Sequence, residues 1–294
     1  MTDLATAAFV AHRNLLFTVA YEILGSAADA EDVLQETWLR WSDVDLDQVR
    51  DQRAYLVRIT TRQALNRLRT AQRRRETYTG QWLPEPLLTA PDVADDAELA
   101  EQVSLAMLLV LETLAPLERA VFVLREVFDV GYDEIAAAVD RTPAAVRQIA
   151  HRAREHVAAR RPRVTVPSAE ARDALDAFRR AMETGDMQGL LDVLAPDVTL
   201  VADGGGIRQA ALRPILGADK VMRFLFGALS KAGGTVTVDS ATVNGGPSLV
   251  IGLNGDIDGV LTARVEEGRI AGLYYVRNPE KLARLGAETP LALR

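Results

Sequence analysis

Two hydrophobic patterns divide the chain. Up to about residue 160, apolar residues recur at spacings of three and four, the repeat of amphipathic helices. This pattern predicts helices over residues 3–76, with breaks near Gly25 and at 41–47, and further helices over residues 98–160. After a break at residues 162–167, apolar and polar residues alternate instead, which is typical of strands. We therefore expect an all-helical part followed by a domain of a different class.

The last 130 residues predict an α+β domain. Helices are expected over residues 168–184 and 186–194, followed by a strand at 197–202 and a helix at 217–231. Four strand-like runs follow, with glycine-containing turns between them, at residues 234–243, 247–253, 257–266 and 269–277.

Composition excludes several classes of function. The chain has no cysteine and only three histidines in 294 residues, so disulfides, thiolate sites, cysteine nucleophiles and a metal centre are not expected. No apolar run is long enough to span a membrane, and the N-terminus lacks the pattern of a signal peptide. A cytoplasmic protein with no cofactor and no membrane partner is expected.

Charge is distributed very unevenly within a net charge of −7. Residues 50–75 contain nine arginines and one acid, and residues 141–163 contain seven arginines and one acid. Between them, residues 79–101 carry six acids, three prolines and no Lys or Arg. Two basic segments joined by an acidic linker indicate local binding to nucleic acid, although charge runs of this kind also occur on ordinary solvated helix faces.

The first basic segment predicts a two-sided helix. Val57, Ala64 and Leu68 fall on one face, and arginines fall on another at spacings of four, seven and four. One face can pack while the other meets phosphates. The nearby aromatic residues Trp38, Trp41 and Tyr55 could stack on unpaired bases, but core packing is the preferred interpretation for each of them.

The second basic segment predicts a helix-turn-helix. A short helix from Tyr132 ends at Asp140-Arg141, and Thr142 then stands as N-cap before Pro143 at the first helical position. The following helix buries apolar residues and exposes Arg, Gln and His, which bond base edges and phosphates in a major groove. The alternative is a structural helical hairpin, because Asp140 occupies a turn position where glycine is more usual.

Three separated motifs in this half resemble a known family. They are residues 29–41 (DAEDVLQETWLRW), the basic helix at 55–69, and residues 114–124 (LAPLERAVFVL) leading into the helix-turn-helix. Their order and spacing resemble regions 2 and 4 of extracytoplasmic-function sigma factors. The resemblance implies a non-enzymatic protein that binds core RNA polymerase and promoter DNA and initiates transcription.

The resemblance also implies site residues. Docking on polymerase, at the β′ clamp helices and the β flap, is expected for region 2 and region 4, with ordinary helix packing as the alternative for the acidic helix. The expected polymerase-binding residues are Asp29, Glu31, Asp32, Gln35 and Glu36. The expected minus-10 residues are Arg58, Arg62, Asn66, Arg69, Arg73 and Arg74, and the expected minus-35 residues are Thr142, Arg147, Gln148, His151, Arg152 and Arg154.

The α+β part resembles the SnoaL-like, NTF2-like cone domain that one subgroup of these sigma factors carries. The supporting motifs are Trp82-Leu-Pro-Glu-Pro86, Asp203-Gly-Gly-Gly206 and Asn278-Pro-Glu-Lys-Leu282. The implied domains are region 2 (1–78), a linker (79–100), region 4 (101–163) and a regulatory domain (164–294). The implied regulatory residues are Trp82, Pro84, Glu85, Pro86, Asp203, Gly204, Gly205, Gly206, Arg208, Asn278, Pro279 and Lys281.

Some alternatives stay open at this point. The family pattern has lysine after the glycine triplet, whereas this chain has Ile207 and then Arg208. The triplet could be a plain turn, and Trp82 could be packed locally. The cone could bind a small ligand, or Asp203 with Tyr274 or Tyr275 could act as an isomerase-like or cyclase-like pair. The whole chain could also be a ligand-responsive helix-turn-helix regulator that never touches polymerase.

Overall fold

A computed structural model describes residues 2–90, 97–160, 168–231 and 233–293. The break expected at residues 162–167 and three of the linker acids, Asp92, Asp95 and Asp96, lie outside the described residues. The chain forms two compact units. The first contains Met1–Glu76, Met107–Arg161 and Pro290–Arg294, and the second contains Thr77–Ala106 and Pro162–Thr289.

The first unit is helical, as predicted. Its helices are α1 (Thr2–Leu24), α2 (Ala27–Trp41), α3 (Gln52–Glu76), α5 (Leu105–Leu111), α6 (Pro116–Phe122), α7 (Tyr132–Val139) and α8 (Pro143–Ala158), with a 3-10 turn at Leu46–Gln48 and a π turn at Val123–Val127. The helix α4 (Ala97–Val103) precedes α5 and belongs to the second unit.

Local chemistry explains the predicted breaks. Gly25 ends α1 with a φ of 67°, a conformation that glycine adopts without strain, and the Ser26 side chain accepts a hydrogen bond from the Asp29 amide to begin α2. Apolar faces of α1, α2 and α3 then pack together. Trp41 is fully buried there, and its indole donates to the Ala5 carbonyl at 2.8 Å, so the packing prediction for Trp41 is confirmed.

The helices of both basic segments belong to this one unit. α3 packs against α6 and α7, and α1 packs against α6 and the π turn. The two halves of the first unit are separated in sequence by the linker and yet share a common interior.

The second unit places helices against one mixed sheet. The helices are α9 (Ser168–Thr184), α10 (Met187–Val193), α11 (Ala218–Lys231) and α12 (Pro279–Leu282). The strands are β1 (Leu194–Asp203), β2 (Ile215–Leu216), β3 (Val236–Val243), β4 (Gly246–Leu253), β5 (Asp256–Glu266) and β6 (Arg269–Val276). Their spatial order is β2-β1-β6-β5-β4-β3, with β1 and β6 parallel and the other neighbours antiparallel.

One face of this sheet and the helices α9, α10 and α11 enclose the core. Phe178, Met222, Leu225, Leu261 and Tyr275 belong to its buried cluster. The predicted α+β class and its helix and strand order are confirmed. The short elements β2 and α12 and the π turn were not predicted, because each is too short to produce a hydrophobic period.

Candidate functional site

The second helix of the helix-turn-helix, α8, has a well-formed N-terminal cap. Thr142 Oγ1 accepts a hydrogen bond from the Ala145 amide at 3.2 Å, and Pro143 occupies the first helical position of α8. Val146, Ile149, Ala153 and Val157 are buried on one face. The opposite face leaves exposed Arg147, Gln148, His151, Arg152 and Arg154.

The turn before α8 adopts the strained conformation that the motif requires. Asp140 has φ 55° and ψ 57°, which is the left-handed region, and its amide bonds the Ala136 carbonyl. Aspartate tolerates this region better than most residues because its short polar side chain can bond nearby backbone. Asp140 therefore substitutes for glycine at this turn.

Neighbouring side chains contact part of the exposed polar face of α8. The Tyr132 ring lies 4.9 Å from the Arg125 guanidinium and 5.6 Å from that of Arg147. His151 faces Glu155 at 3.6 Å on the same helix, and Arg154 faces Glu126 at 3.6 Å. Arg147 is thus held near an aromatic ring while its charge stays exposed.

A second basic face runs along α3. Arg62, Asn66, Arg69 and Arg73 are exposed at spacings of four, three and four, and Arg58 stacks over the Tyr55 ring at 4.5 Å. The opposite face buries Val57, Ala64 and Leu68, as predicted. Tyr55 is half-buried against Trp41, and Trp38 against Phe9. The side chain of Arg74 lies outside what the structure describes.

Arg62 has partners in the other half of the first unit. Its guanidinium donates to the carbonyls of Ala137 at 2.8 Å and Ala138 at 3.2 Å, in the last turn of α7. Sequence spacing could not reveal this contact, because Arg62 and α7 are about 75 residues apart.

The acidic face of α2 is paired with arginines. Arg67 on α3 forms ion pairs with Asp29 at 2.7 Å, with Asp32, and with Glu36 at 3.6 Å. The Arg13 guanidinium donates to both oxygens of Glu31, at 2.9 and 2.8 Å. Gln35 is exposed. Asp29 is the most enclosed of these acids, whereas about half of the side chains of Asp32 and Glu36 remain exposed.

In the second unit, Asp203 accepts hydrogen bonds from Tyr78, from the linker and from α12. Its carboxylate, which is 0% exposed, accepts from the Tyr78 hydroxyl at 2.6 Å, the Leu83 amide at 2.9 Å and Lys281 Nζ at 2.7 Å. Lys281 Nζ also donates to the Leu83 carbonyl at 2.5 Å and lies 4.2 Å from the centre of the Trp82 ring. Burial and the Asp203 carboxylate raise the pKa of Tyr78 above its ordinary value, so Tyr78 remains a donor.

The loop after Asp203 requires its glycines. Gly205 has φ 64° and also donates its amide to Asp203 at 3.0 Å, while a Cβ there would lie 2.4 Å from the Asn278 side chain. A Cβ on Gly204 would lie 2.1 Å from the Arg208 carbonyl, and one on Gly206 would press on Thr79. This loop is therefore shaped around its neighbours and is more than a plain turn.

The positive partner in this cluster is Lys281. The side chains of Ile207 and Arg208 are exposed. Asn278 is buried, bonds the Tyr78 hydroxyl at 2.9 Å and caps α12, which begins at Pro279. Asn278 and Lys281 thus hold Tyr78 and Leu83 from the start of α12.

The described first part of the linker, up to residue 90, is docked on the second unit. Leu83, Pro84, Glu85 and Pro86 are buried and Trp82 is half-buried. Further along, Leu88 forms an antiparallel bridge with Val243.

A second anchor holds the end of the linker, and the sequence did not reveal it. The Asn244 side chain accepts from the Leu87 amide at 3.1 Å and donates to the Val103 carbonyl at 3.1 Å. A Cβ on Gly245 would lie 2.6 Å from Ala100 Cα, so glycine is needed for this close approach. From the sequence, Asn244-Gly245-Gly246 predicts a turn. A turn signal of this kind does not show which segment packs against the turn.

The pair of Asp203 and Tyr275 considered from the sequence does not form. Ala202 and Tyr275 pair in register and both belong to the core, so Asp203 projects from the other face of β1, towards the linker. Tyr275 instead donates to Asp258 at 3.2 Å, and Asp258 also binds Arg277. A surface cavity of about 410 Å³ lies apart from this cluster, lined by Leu194, Leu216, Lys220, Arg223 and Arg269 among others.

The described residues contain neither a cluster of metal-binding side chains nor a membrane-spanning helix. No cluster of three or more His, Asp or Glu side chains among them could hold a metal ion. Within the same residues, every helix is too short or too polar to cross a bilayer.

Comparisons with known proteins match this arrangement. A family model described as Sigma-70 region 2 matches residues 8–74, and one described as Sigma-70, region 4 matches residues 104–157. The chain is 38% identical over 287 residues to the ECF RNA polymerase sigma factor SigJ of Mycobacterium tuberculosis, covering 93% of this chain and 91% of that protein. It is 33% identical to the probable ECF RNA polymerase sigma factor SigI of the same organism, covering 97% of each.

The similarity extends to three dimensions. The crystal structure of Mycobacterium tuberculosis SigJ aligns with a TM-score of 0.77 at 34% identity, covering 96% of this chain and 99% of that one. Two helical sigma regions and an α+β domain therefore occur in the same order in a solved relative. The chain belongs to the extracytoplasmic-function (ECF) RNA polymerase sigma factors.

Proposed function

We propose that this sigma factor binds core RNA polymerase in the cytoplasm, reads minus-35 and minus-10 promoter elements and initiates transcription under control of its own C-terminal domain. The observation that carries the proposal is the exposed face of α8, where Arg147, Gln148 and His151 stand opposite a fully packed face. The polar tips on that face suit base edges and phosphates of a major groove.

The exposed faces of α3 and α2 have the other two binding roles in this proposal. The basic face of α3 would bind the minus-10 element, with Arg58 on Tyr55 as a planar surface for an unpaired base. The acidic face of α2 would dock on the β′ clamp helices, and region 4 on the β flap. Asp32, Gln35 and Glu36 are the most available residues for that docking, since Asp29 is enclosed by Arg67.

The C-terminal domain acts in this proposal by holding the linker, without chemistry of its own. Asp203 is saturated by donors from the linker and α12, which suits a structural anchor better than a catalytic base. A small ligand in this domain remains a prediction, with the cavity beside Arg223 and Arg269 as one available place for it.

Transcription in vitro with core polymerase and selected promoter fragments tests the function. The full chain is compared with truncations ending at Arg163 and Asn278, and with full-length Lys281→Met, which disturbs the linker without deleting the domain. Initiation by any of these proteins supports the sigma assignment, and a change between them supports control in cis. If none binds core polymerase or initiates, a ligand-responsive helix-turn-helix regulator becomes the better explanation.

Base reading by α8 makes a specific prediction. Arg147→Ala should lower discrimination between promoter and scrambled DNA by about 1 to 3 kcal/mol, because one base-edge contact is lost. Titrations of both DNAs measure it, with Arg160→Ala, at an exposed arginine just after the end of α8, as the matched control. Equal losses on both DNAs would refute base reading by Arg147.

Phosphate binding by α3 makes a different prediction. Arg73→Gln should weaken binding to all sequences and reduce the slope of log affinity against log salt by about one unit, because one fewer counterion is released. The same titration on Arg172→Gln, an exposed arginine of α9, should leave the slope unchanged. An unaltered slope in Arg73→Gln would argue against a phosphate contact.

A further inference from the structure

The surface cavity of the second unit has an apolar floor. Its volume of about 410 Å³ is lined by residues of α10, the start of β1, β2, the first turns of α11 and the start of β6. Leu194 belongs to the core and Leu191 packs against it, so the core holds both side chains in place. Leu216 lines the same cavity and is 60% exposed, so a ligand there would cover apolar surface that water now contacts. Small-molecule sites typically have volumes of roughly 300 to 1,000 Å³, and this cavity falls within that range.

The opening of the cavity is basic. Lys220, Arg223 and Arg269 line it with exposed side chains, and we call these three residues the basic rim. Asp219 is the one acid among the lining residues. Arg223 Nε donates to the Asp219 carbonyl at 3.2 Å, which holds the guanidinium against the first turn of α11. Three positive charges against one negative charge favour an anion at this opening.

Regular elements hold the floor and the basic rim together. Gly217 has φ 92°, a conformation that glycine adopts without strain, and this single residue joins β2 to α11. The parallel ladder pairs Leu194 of β1 with Ile270 of β6, which places Arg269 beside the floor. The cavity is therefore formed by strands and a helix in fixed register, and its shape does not depend on a long loop.

An apolar floor beside a basic rim selects ligands that carry both characters. An alkyl chain laid on the leucines removes apolar surface from water, which contributes roughly 25 cal/mol for each Å² that is buried. A carboxylate at the end of that chain can accept paired hydrogen bonds from a guanidinium. A simple inorganic anion would leave the leucines exposed, and an amphiphilic cation would meet the positive charges of the rim.

We propose that this cavity binds a small amphiphilic carboxylate of the medium-chain fatty acid type. Its carboxylate lies against Arg223 and Arg269, and its chain covers Leu191, Leu194 and Leu216. This inference gives a chemical class to the small ligand that the proposed function leaves open for the C-terminal domain, and in that sense it rests on the proposed function.

Calorimetric titration of the full chain with decanoate, below the concentration at which it forms micelles, tests the site. We expect saturable binding at one site, whereas decylamine, which has the same chain and the opposite charge, should not bind there. Arg223→Gln combined with Arg269→Gln should weaken decanoate binding about tenfold, because two exposed charge pairs are lost. Arg172→Gln combined with Arg180→Gln, at exposed arginines of α9, removes the same charge and should leave the affinity unchanged. Equal weakening in the two double variants would mean that decanoate responds only to net charge, and would overturn the proposal.

The dependence of affinity on chain length separates the apolar floor from a simple anion site. From hexanoate to decanoate, each added methylene should tighten binding about two- to fourfold in the native chain, because it is partly removed from water. The gain should be smaller in Leu216→Ser. Affinity that is independent of chain length, or inorganic phosphate binding as tightly as decanoate, would reduce the cavity to an adventitious anion site. Binding to phosphatidylglycerol vesicles without binding of free decanoate would likewise overturn the proposal.

Protection of a thiol locates the bound ligand. Because the chain has no cysteine, Leu216→Cys and Leu212→Cys each introduce a single thiol, at positions where the leucine is 60% and 65% exposed. Saturating decanoate should slow alkylation at position 216 and leave the rate at position 212 unchanged, since only position 216 lines the cavity. No protection, or equal protection at both positions, would mean that decanoate binds elsewhere. These measurements need neither DNA nor polymerase, so they can fail or succeed independently of transcription in vitro, which decides the proposed function.

Discussion

Glu22→Gln should make the first unit more stable at pH 8 than the native chain and should remove most of the pH dependence of its unfolding between pH 5 and 8. Glu22 lies fully buried on α1, and neither side-chain oxygen has a hydrogen-bond partner among the described residues. Burial raises the pKa of its carboxyl from 4.5 to about 8, and the charge of Arg119 opposes this only in part.

The direction of the pH dependence follows from proton binding by Glu22. Between pH 4.5 and 8 the folded chain keeps a proton on Glu22 that the unfolded chain has released. The stability from this group is therefore complete below pH 4.5 and is lost progressively as the pH rises to 8. The slope is about 1.4 kcal/mol per pH unit, so the loss between pH 6 and 8 is about 2 to 3 kcal/mol.

Thermal melting of the native chain and Glu22→Gln at pH 6 and pH 8 measures the effect. The amide is nearly isosteric and stays neutral, so the advantage of the variant should grow with pH. Glu134→Gln controls for loss of an exposed carboxylate. A constant difference between native and Glu22→Gln proteins at the two pH values would mean that Glu22 is not held neutral.

Asp203→Asn should destabilise the second unit by about 3 to 5 kcal/mol and release the linker, because breaking a buried ion pair leaves the other charge uncompensated. The charge left behind is Lys281, whose side chain is 12% exposed. Hydrogen exchange of residues 77–89 should become faster, while the exposed control Asp256→Asn should leave it unchanged.

A double substitution sharpens this experiment. Asp203→Asn combined with Lys281→Met removes both charges, so it should cost less than the sum of the two single changes. Additive losses would indicate that the two side chains do not act as a pair. Unchanged exchange of residues 77–89 in Asp203→Asn would indicate that this carboxylate does not hold the linker.

Most of the fold could be predicted because its determinants are local. The longer helices and the five longer strands follow from periodicity, and the helix ends at Gly25 and Thr142 follow from capping chemistry. The exposed faces of α3 and α8 follow from helical spacing in the same way. Asp140 adopts the left-handed conformation that the helix-turn-helix needs, although glycine is the usual residue there.

The contacts that determine how the parts are held could not be predicted. Arg62 and Arg69 fall on the same predicted face of α3, so the sequence does not distinguish them. Only the packing of α3 on α7 gives Arg62 two carbonyl partners. Glu22 is one acid among apolar residues of α1, and its neutrality depends on burial created by distant segments. Asn244 and Tyr78 are likewise defined by partners more than 100 residues away.

The docked linker gives the chain a natural chemical reporter. Lysine occurs at only three positions, 220, 231 and 281, and Lys220 and Lys231 are exposed while Lys281 is enclosed by Asp203, Leu83 and Trp82. Amine-reactive reagents should therefore label Lys281 slowly and the other two lysines rapidly. The ratio of Lys281 labelling to labelling of the other two then measures the fraction of molecules in which the linker has detached. Acylation of that amine would remove the charge that Asp203 binds, and would itself favour release of the linker.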